Sequence, residues 1–503
     1  MSRQRKIALT ITLVAAFLAP SLAPAADTFK VLLGDSSVGT TRITASYKGA
    51  PGFGPDIYLQ PCSLAIKSDC IQSLAYQSKS STEWITLVPD EKIVFPTAGV
   101  PRFGTSPDIV VETLTAYAAD LSKNFPAGGM SPVYKDLKSS DNTTRYLVEA
   151  RAQGAVDADG KAIWSDLRFE IKPVIVVDYS KMNLFGFPTL QFQPTFQNVS
   201  SFKIEVRSKA TRNLLSGWFY GRVFQPEVKL TSVSADESVV QIIGAPIVTH
   251  IAEGDIAFSD YAALQTSSNS ALPTVSPAVS VSLFGATYGF ANGSGAMKVW
   301  RLLNPLLKEK AASSVNSFSL RTTRNSSLLT NYYPPGCQAT QTLDGVVSTN
   351  ATMYNPAPPS YDANDGTLNF EVGSPHLDTT GQVIQGFYSL VVSAKLAQCI
   401  WGSDLTNSKA TVSIVNDSGT TQVSTSVLKF IDDFYYFHIS GFTYSTKKIS
   451  IRLAPAPKVT PSAKPSATAS AKPAVKSIIC VKGKLKKVVS GVKPVCPKDY
   501  KLN

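Results

Sequence analysis

Runs of valine, isoleucine, threonine and aromatic residues, broken at short intervals by Asp, Asn and Gly, recur through most of this chain. Branched and aromatic side chains suit a pleated, half-buried surface. Asp, Asn and Gly tolerate the positive φ that tight turns demand. The clearest case is TRYLVEARAQGAVDADGKAIWSDLRFEIKPVIVV (144–177), two strand-like runs around Asp157-Ala158-Asp159-Gly160. YDANDGTLNFEV (361–372) sets Asp365-Gly366 before an alternating strand, and ATVSIVNDSGTTQVSTSV (410–427) turns at Asn416-Asp417-Ser418-Gly419. The pattern predicts a mainly β protein.

Helical spacing is scarce. In SGAMKVWRLLNPLLKEKAAS (294–313), Met297, Trp300, Leu303 and Leu307 fall on one helical face. Ser294 is placed to cap the start, and Pro305 to kink the helix expected over 296–312. PDIVVETLTAYAADLSKNF (107–125) is a second helix candidate, with Val110, Leu114, Tyr117 and Leu121 aligned. Its Ile-Val-Val start reads equally as strand.

The first residues fit an export signal. Arg3, Arg5 and Lys6 precede an apolar stretch over about residues 7–19, and Ala23-Pro24-Ala25 matches a small-residue cleavage site. Pro20 and Pro24 and the short length argue against a membrane anchor. The mature chain is therefore expected to start near Ala26, outside the cytoplasm. Six cysteines, Cys62, Cys70, Cys337, Cys399, Cys480 and Cys496, suit an oxidising compartment. Six cysteines allow 15 connectivities, and sequence does not choose among them. The simplest guess pairs neighbours. No Cys-x-x-Cys spacing exists and the three histidines are scattered, so neither metal nor cofactor is expected.

The net charge of +12 is unevenly placed. The leader holds three positive charges. From residue 455 onward there are eleven lysines and one acid, Asp499, which leaves the body, 26–454, at −1. Residues 455–477, PAPKVTPSAKPSATASAKPAVKS, lack the apolar content for a core and read as a disordered linker. In an extended form that linker reaches up to about 70 Å. The terminal IICVKGKLKKVVSGVKPVCPKDYKLN (478–503) reads as a basic hairpin closed by its two cysteines, with Ser490-Gly491 at or near the turn. The body is expected to comprise a β module over 26–105, a β-rich region over 106–316 and a β-sandwich over 317–454, Ig-like or jelly-roll-like, and the sequence does not decide whether 26–316 is one domain or several.

Residues that could carry chemistry have simpler structural explanations. His250, near Glu253 and Asp255, lacks a second histidine to complete a metal site. His376 beside Asp378 lacks a G-x-S-x-G nucleophile elbow. His438 alternates with Phe434 and Tyr436 as a sheet-face residue does. Paired acids such as Asp157 and Asp159, or Asp432 and Asp433, sit in turn-like contexts. Asp157, Asp159, Gly160 and Asp166 also match part of a calcium loop, but Ala155 stands where its first carboxylate belongs. No catalytic residue is assigned, and the balance falls against an enzyme. The aromatic clusters SGWFYGRVF (216–224) and DFYYFHISGFTY (433–444) are either core or, if exposed, a ligand platform formed by Trp218, Tyr220 and Tyr436.

The stretch from GVVSTNATMYNPAPPSYDANDGTLNFEVGSPHLDTTGQVIQGFYSLVVSAKLAQCIWG to FHISGFTYSTKKISIRLA resembles the C-terminal β domain of uncharacterised secreted and cell-surface proteins of actinobacteria. GWFYGR and FPTAGVPRFGTSPDIVV are similar to that group as well. The ending ICVKGKLKKVVSGVKPVCPKDYK is similar to a short two-cysteine, lysine-rich module found on many exported actinobacterial proteins. The resemblance implies a surface or secreted setting and Cys337 and Cys399 as partners. It implies no activity.

Together these features predict a secreted, envelope-associated, non-enzymatic surface protein engaged in adhesion or surface interaction. Lys482, Lys484, Lys486, Lys487, Lys493, Lys498 and Lys501 would bind an anionic cell-wall polymer or membrane surface. The body would meet a glycan or protein partner. Nucleic acid is not expected outside the cell. The alternative is a carbohydrate-binding or carbohydrate-active protein.

Overall fold

The 144–177 pattern folds as a long hairpin, Arg145–Val156 against Ala162–Met182, with Ala162 opposite Val156. Its turn is held by Asp157, whose carboxylate accepts from the backbone N–H groups of Asp159 and Lys161 at 3.0 and 2.8 Å. Gly160 takes a φ of 74° there. The computed structural model describes residues 28–35, 46–49, 54–93, 100–103, 110–137, 144–182, 188–193, 195–267, 272, 281–284, 295–323, 337, 343–402, 409–416, 421–422, 425–444, 447–454, 476–483 and 485–502. The expected leader, most of the expected linker, Ser294, Lys484 and turn residues 417–419 lie outside them. The chain forms two units, one ending at Pro455 and one beginning at Ala456. Both are built mainly of β-strands.

In the body, one continuous hydrogen-bonded path links most strands. It starts at Thr425–Ile431 and runs through Phe434–Thr443 and Gln385–Ser393 to Leu343–Thr349. The next pairing, to Gly217–Arg222, is parallel. The path continues through Ser313–Thr323 and Ala162–Met182 to Arg145–Val156. It then passes Val133–Asp136 and Trp84–Pro89 to Cys70–Ser78. Val199–Ser208, Ser238–Ala245 and Phe224–Ser232 complete it. Ile71, Leu74, Phe202, Ile204, Val240 and Ile242 from its far end share a core with Val148, Phe169, Phe219, Val346 and Val391 from its middle. The sheet therefore bends back over itself.

A second core lies on the other side of the middle strands. Trp218, Tyr220, Val347, Leu390 and Val392 point into it, while their sequence neighbours Phe219, Val346 and Val391 point into the first. Period-two alternation thus buries both faces of Gly217–Arg222, Leu343–Thr349 and Gln385–Ser393. The second core is closed by another sheet, in which Lys447–Ala454 lies between Thr367–Gly373 and Lys409–Asn416. Leu368, Phe370, Val372, Ile449, Ile451 and Leu453 fill it from that side. A two-sheet sandwich thus occupies the C-terminal part of the body. The strand Thr28–Leu33, paired with Ile247–Ala257, and, among the described residues, three short helices complete the enclosure.

These pairings join what the sequence pattern separates. Thr28–Leu33 bonds to residues 252–257, Cys70–Ser78 to 199–207, and Gly217–Gly221 ladders onto Leu343–Ser348 across residue 316. The modules expected over 26–105, 106–316 and 317–454 are one unit, because non-local strand pairing gives no local signal. Asp69 adds a tie of its own. Its fully buried carboxylate accepts from the N–H groups of Lys209, Ala210 and Thr211 and from the Thr211 hydroxyl.

Helix also departs from expectation. Gly295–Leu303 is helical and buries Met297, Val299, Trp300 and Leu303, but it ends at Leu303. Pro305 sits in the 3₁₀ turn Asn304–Leu306 and terminates the helix instead of kinking it. The 107–125 candidate is a strand over Val110–Leu114 and a single 3₁₀ turn at Leu121–Lys123. The β-branched start decides it. Ala394–Trp401 is a helix capped by Ser393, whose hydroxyl accepts from the Leu396 N–H.

Three disulfides join Cys62 to Cys70, Cys337 to Cys399 and Cys480 to Cys496. They suit an oxidising, extracellular environment. Among the described residues no helix is long and apolar enough to cross a membrane.

Candidate functional site

The tail is a three-stranded sheet, with Lys476–Lys482 in the middle, Leu485–Gly491 on one side and Lys501–Leu502 on the other. Its hairpin turn lies between Lys482 and Leu485, where Gly483 has a φ of 59°. Ser490-Gly491, expected at or near a turn, ends the second strand instead, with Ser490 opposite Ser477 and their hydroxyls 2.7 Å apart. Gly483 wins because glycine enters the left-handed region without strain. Cys480 is fully buried beneath its bond to Cys496. Lys482, Lys486, Lys487, Lys493, Lys498 and Lys501 are all exposed. Lys482 alone among these has a described acidic partner, Asp499 at 3.4 Å. Lys484 lies outside the described residues.

The aromatic platform divides. Trp218 and Tyr220 are 1% and 5% exposed, packed in the second core, and so cannot present a face to a ligand. Core packing is their role, because the strand that carries them lies between two sheet neighbours with layers on both sides. Tyr436 is different. Along Phe434–Thr443, Tyr435, Phe437 and Ile439 turn into the second core, whereas Tyr436 and His438 turn toward a cleft of about 200 Å³.

That cleft lies where the path's last strand, Phe224–Ser232, comes round beside Gln385–Ser393 and Phe434–Thr443. Phe224, Gln225, Pro226 and Glu227 form one wall and Lys429, Tyr436 and His438 the other. A bulge interrupts the ladder between Phe224 and Glu227, and Gln225 is held at φ 48° immediately before Pro226. A non-glycine residue in that region before proline is strained. Bulges of this kind re-aim side chains at sheet edges.

The His438 ring stands edge-on to Phe224 with centroids 4.7 Å apart, and its Nδ1 is 3.0 Å from the Ser389 hydroxyl. Burial, with the Lys429 ammonium adding to it, pushes the imidazole below its ordinary value, so the neutral ring is favoured. Burial and the Glu227 carboxylate push the Tyr436 phenol up to about 12. Ser389 is 2% exposed. The cleft thus offers a neutral imidazole, a protonated phenol, one carboxylate and one ammonium. Those groups suit hydrogen bonding and ring stacking better than nucleophilic attack by a buried serine.

Of the other two histidines, His376 makes a side-chain contact to the backbone, whereas the buried His250 Nδ1 has no hydrogen-bond partner among the described residues. His376 Nδ1 lies 3.1 Å from the Tyr444 carbonyl, and Asp378 is engaged by its own turn through Thr380 and Gln382. His250 is half-buried, with its backbone carbonyl accepting from the Thr352 hydroxyl, and nearby Glu253 is paired with Lys30 and Lys308. The partial calcium loop is also accounted for. Asp157 holds the turn and Asp166 pairs with Arg321 Nε at 2.6 Å. Asp432 and Asp433, at φ 49° and 64°, form the two-residue turn between Ile431 and Phe434.

No family model, curated protein or solved structure matches the chain. Sequence reasoning missed Glu227 and Lys429 as cleft residues. Only Gln225-Pro226, an irregularity inside a strand-like run, hinted that the ladder breaks there.

Proposed function

We propose that this is a secreted, envelope-associated surface protein without enzymatic activity, whose β body is held to an anionic envelope surface by the basic tail and mediates adhesion or surface interaction. The observation that carries the proposal is the tail's display of exposed lysines on a disulfide-closed sheet, attached to a nearly neutral body. Exposed charges of one sign on a small scaffold act through long-range attraction, which salt screens over about 10 Å at 0.1 M. The test compares the full chain with a chain ending at Pro455 for retention on envelope preparations at rising ionic strength. Retention that needs residues 456–503 and falls with salt supports the reading. Equal retention of both chains refutes it.

The glycan alternative draws on the cleft beside Tyr436, where a half-buried phenol and Glu227 suit a sugar's apolar face and hydroxyls. A glycan-dependent change in the heat of binding that Tyr436→Ala abolishes would favour it.

A further inference from the structure

The tail sheet has two unlike faces. Residues opposite one another in an antiparallel ladder project to the same side. One face carries Cys480, over which the disulfide to Cys496 and the Lys482–Asp499 pair hold part of the 492–500 segment, with Leu485 and Leu502 at its margins exposed. The other face is ordered in rows by the register. Lys486, Val481 and Lys501 form the first row, Val488 and Ile479 the second, and Ser490 and Ser477 the third. Among the tail's described residues nothing crosses this face, and Ile479 and Val488 are 44% and 65% exposed.

Capture of a free polyanion requires only charge. It does not explain two branched apolar side chains paired in the open beside a lysine row. An interface that is anionic at its surface and apolar just beneath matches both rows at once. Lysine ammoniums meet phosphates while their alkyl stems and the neighbouring Ile and Val enter the headgroup boundary. The charge complements such a surface, since residues 476–502 contain eight lysines and one aspartate.

We infer that this face of the tail docks on an anionic lipid bilayer, with Ile479 and Val488 in the headgroup region and Lys486 and Lys501 on lipid phosphates. The inference rests on the proposed attachment of the tail to an anionic envelope surface and names lipid as the component bound.

The test uses the full chain and its Ile479→Ser/Val488→Ser and Lys486→Gln/Lys501→Gln variants. Each is sedimented with phosphatidylglycerol-containing vesicles and with phosphatidylcholine vesicles, and is separately passed over immobilised polyphosphate. An intact Cys480–Cys496 bond, read by mass before and after reduction, shows that each variant's tail is closed. The expected result is binding to the anionic vesicles alone, weakened about tenfold or more by the serine pair. Polyphosphate retention should be unaffected by that pair. The glutamine pair should weaken both. Vesicle binding that the serine pair leaves unchanged overturns the inference, as does retention on polyphosphate without vesicle binding. Either of those results leaves the proposed electrostatic attachment standing. Failure to bind either surface overturns both.

Discussion

Replacing Cys480 and Cys496 by serine should unfold the tail and leave the body intact. The disulfide closes a loop with a sequence separation of 16. Loop closure of that size removes unfolded-chain entropy equivalent to about 3 kcal/mol. Little else opposes unfolding. Cys480 is the tail's fully buried apolar side chain, and Ile478 and Val489 are only half-buried. Burial at that level contributes about 1 kcal/mol per side chain, against about 1–2 kcal/mol per residue for ordering the backbone. Loss of about 3 kcal/mol multiplies the unfolded fraction by about a hundred. Amide hydrogen exchange followed by mass spectrometry checks this directly. Peptides spanning 476–491 should lose protection in the double variant, and those from 217–222 and 385–393 should not change. Protection in the tail that stays within about tenfold of the parent would refute the claim that the cross-link holds the module.

Two further predictions concern the body. Arg222 is fully buried and donates to Asp35 at 2.6 Å, to the carbonyls of Thr349 and Ala351 at 2.9 and 2.5 Å, and to that of Thr352 at 3.2 Å. Arg222→Met strands those acceptors and should cost about 3–5 kcal/mol in urea unfolding. Burial lowers the imidazole pKa of His250 and of His438, with Asp378 opposing the shift in the first and Lys429 adding to it in the second. A depressed histidine pKa means that the unfolded chain binds protons the folded chain resists. The stabilisation is therefore present above the unfolded value near 6.5 and fades as pH falls through it toward the folded value. The urea midpoint should drop between about pH 7.5 and about pH 5, and the His250→Asn/His438→Asn variant should drop less.

Features fixed by nearby residues were legible. Asp157 and Gly160, Asp365-Gly366, and the paired aspartates at 432–433 are turn chemistry contained in a few positions. The alternating strand after Asp365-Gly366 and the alternation of Phe434, Tyr436 and His438 follow from their own residues. Helix ends and the tail turn are local features that the pattern misjudges, and the larger departures are non-local. GWFYGR carries apolar side chains on both faces, which fits a platform or a core equally well. Only its neighbours, drawn from residues 319–323 and 343–348, decide for core. The joining of 28–454 into one unit is non-local in the same way. The cleft was invisible because its walls are about 200 residues apart. The tail turn was misplaced because Ser490-Gly491 and Gly483 are both plausible turn sites, and register chose between them.

The strand Gly217–Arg222 cannot find both its sheet neighbours until the chain has been supplied as far as Ser348, more than a hundred residues later. Contacts of such separation are slow to form, because loop closure must precede any gain from burial. Until then six consecutive residues destined for full burial, Trp218, Phe219 and Tyr220 among them, lack their full set of partners. Assembly of this body is therefore a late event that follows delivery of most of the polypeptide, and its central strand is the segment that needs shielding while the rest arrives.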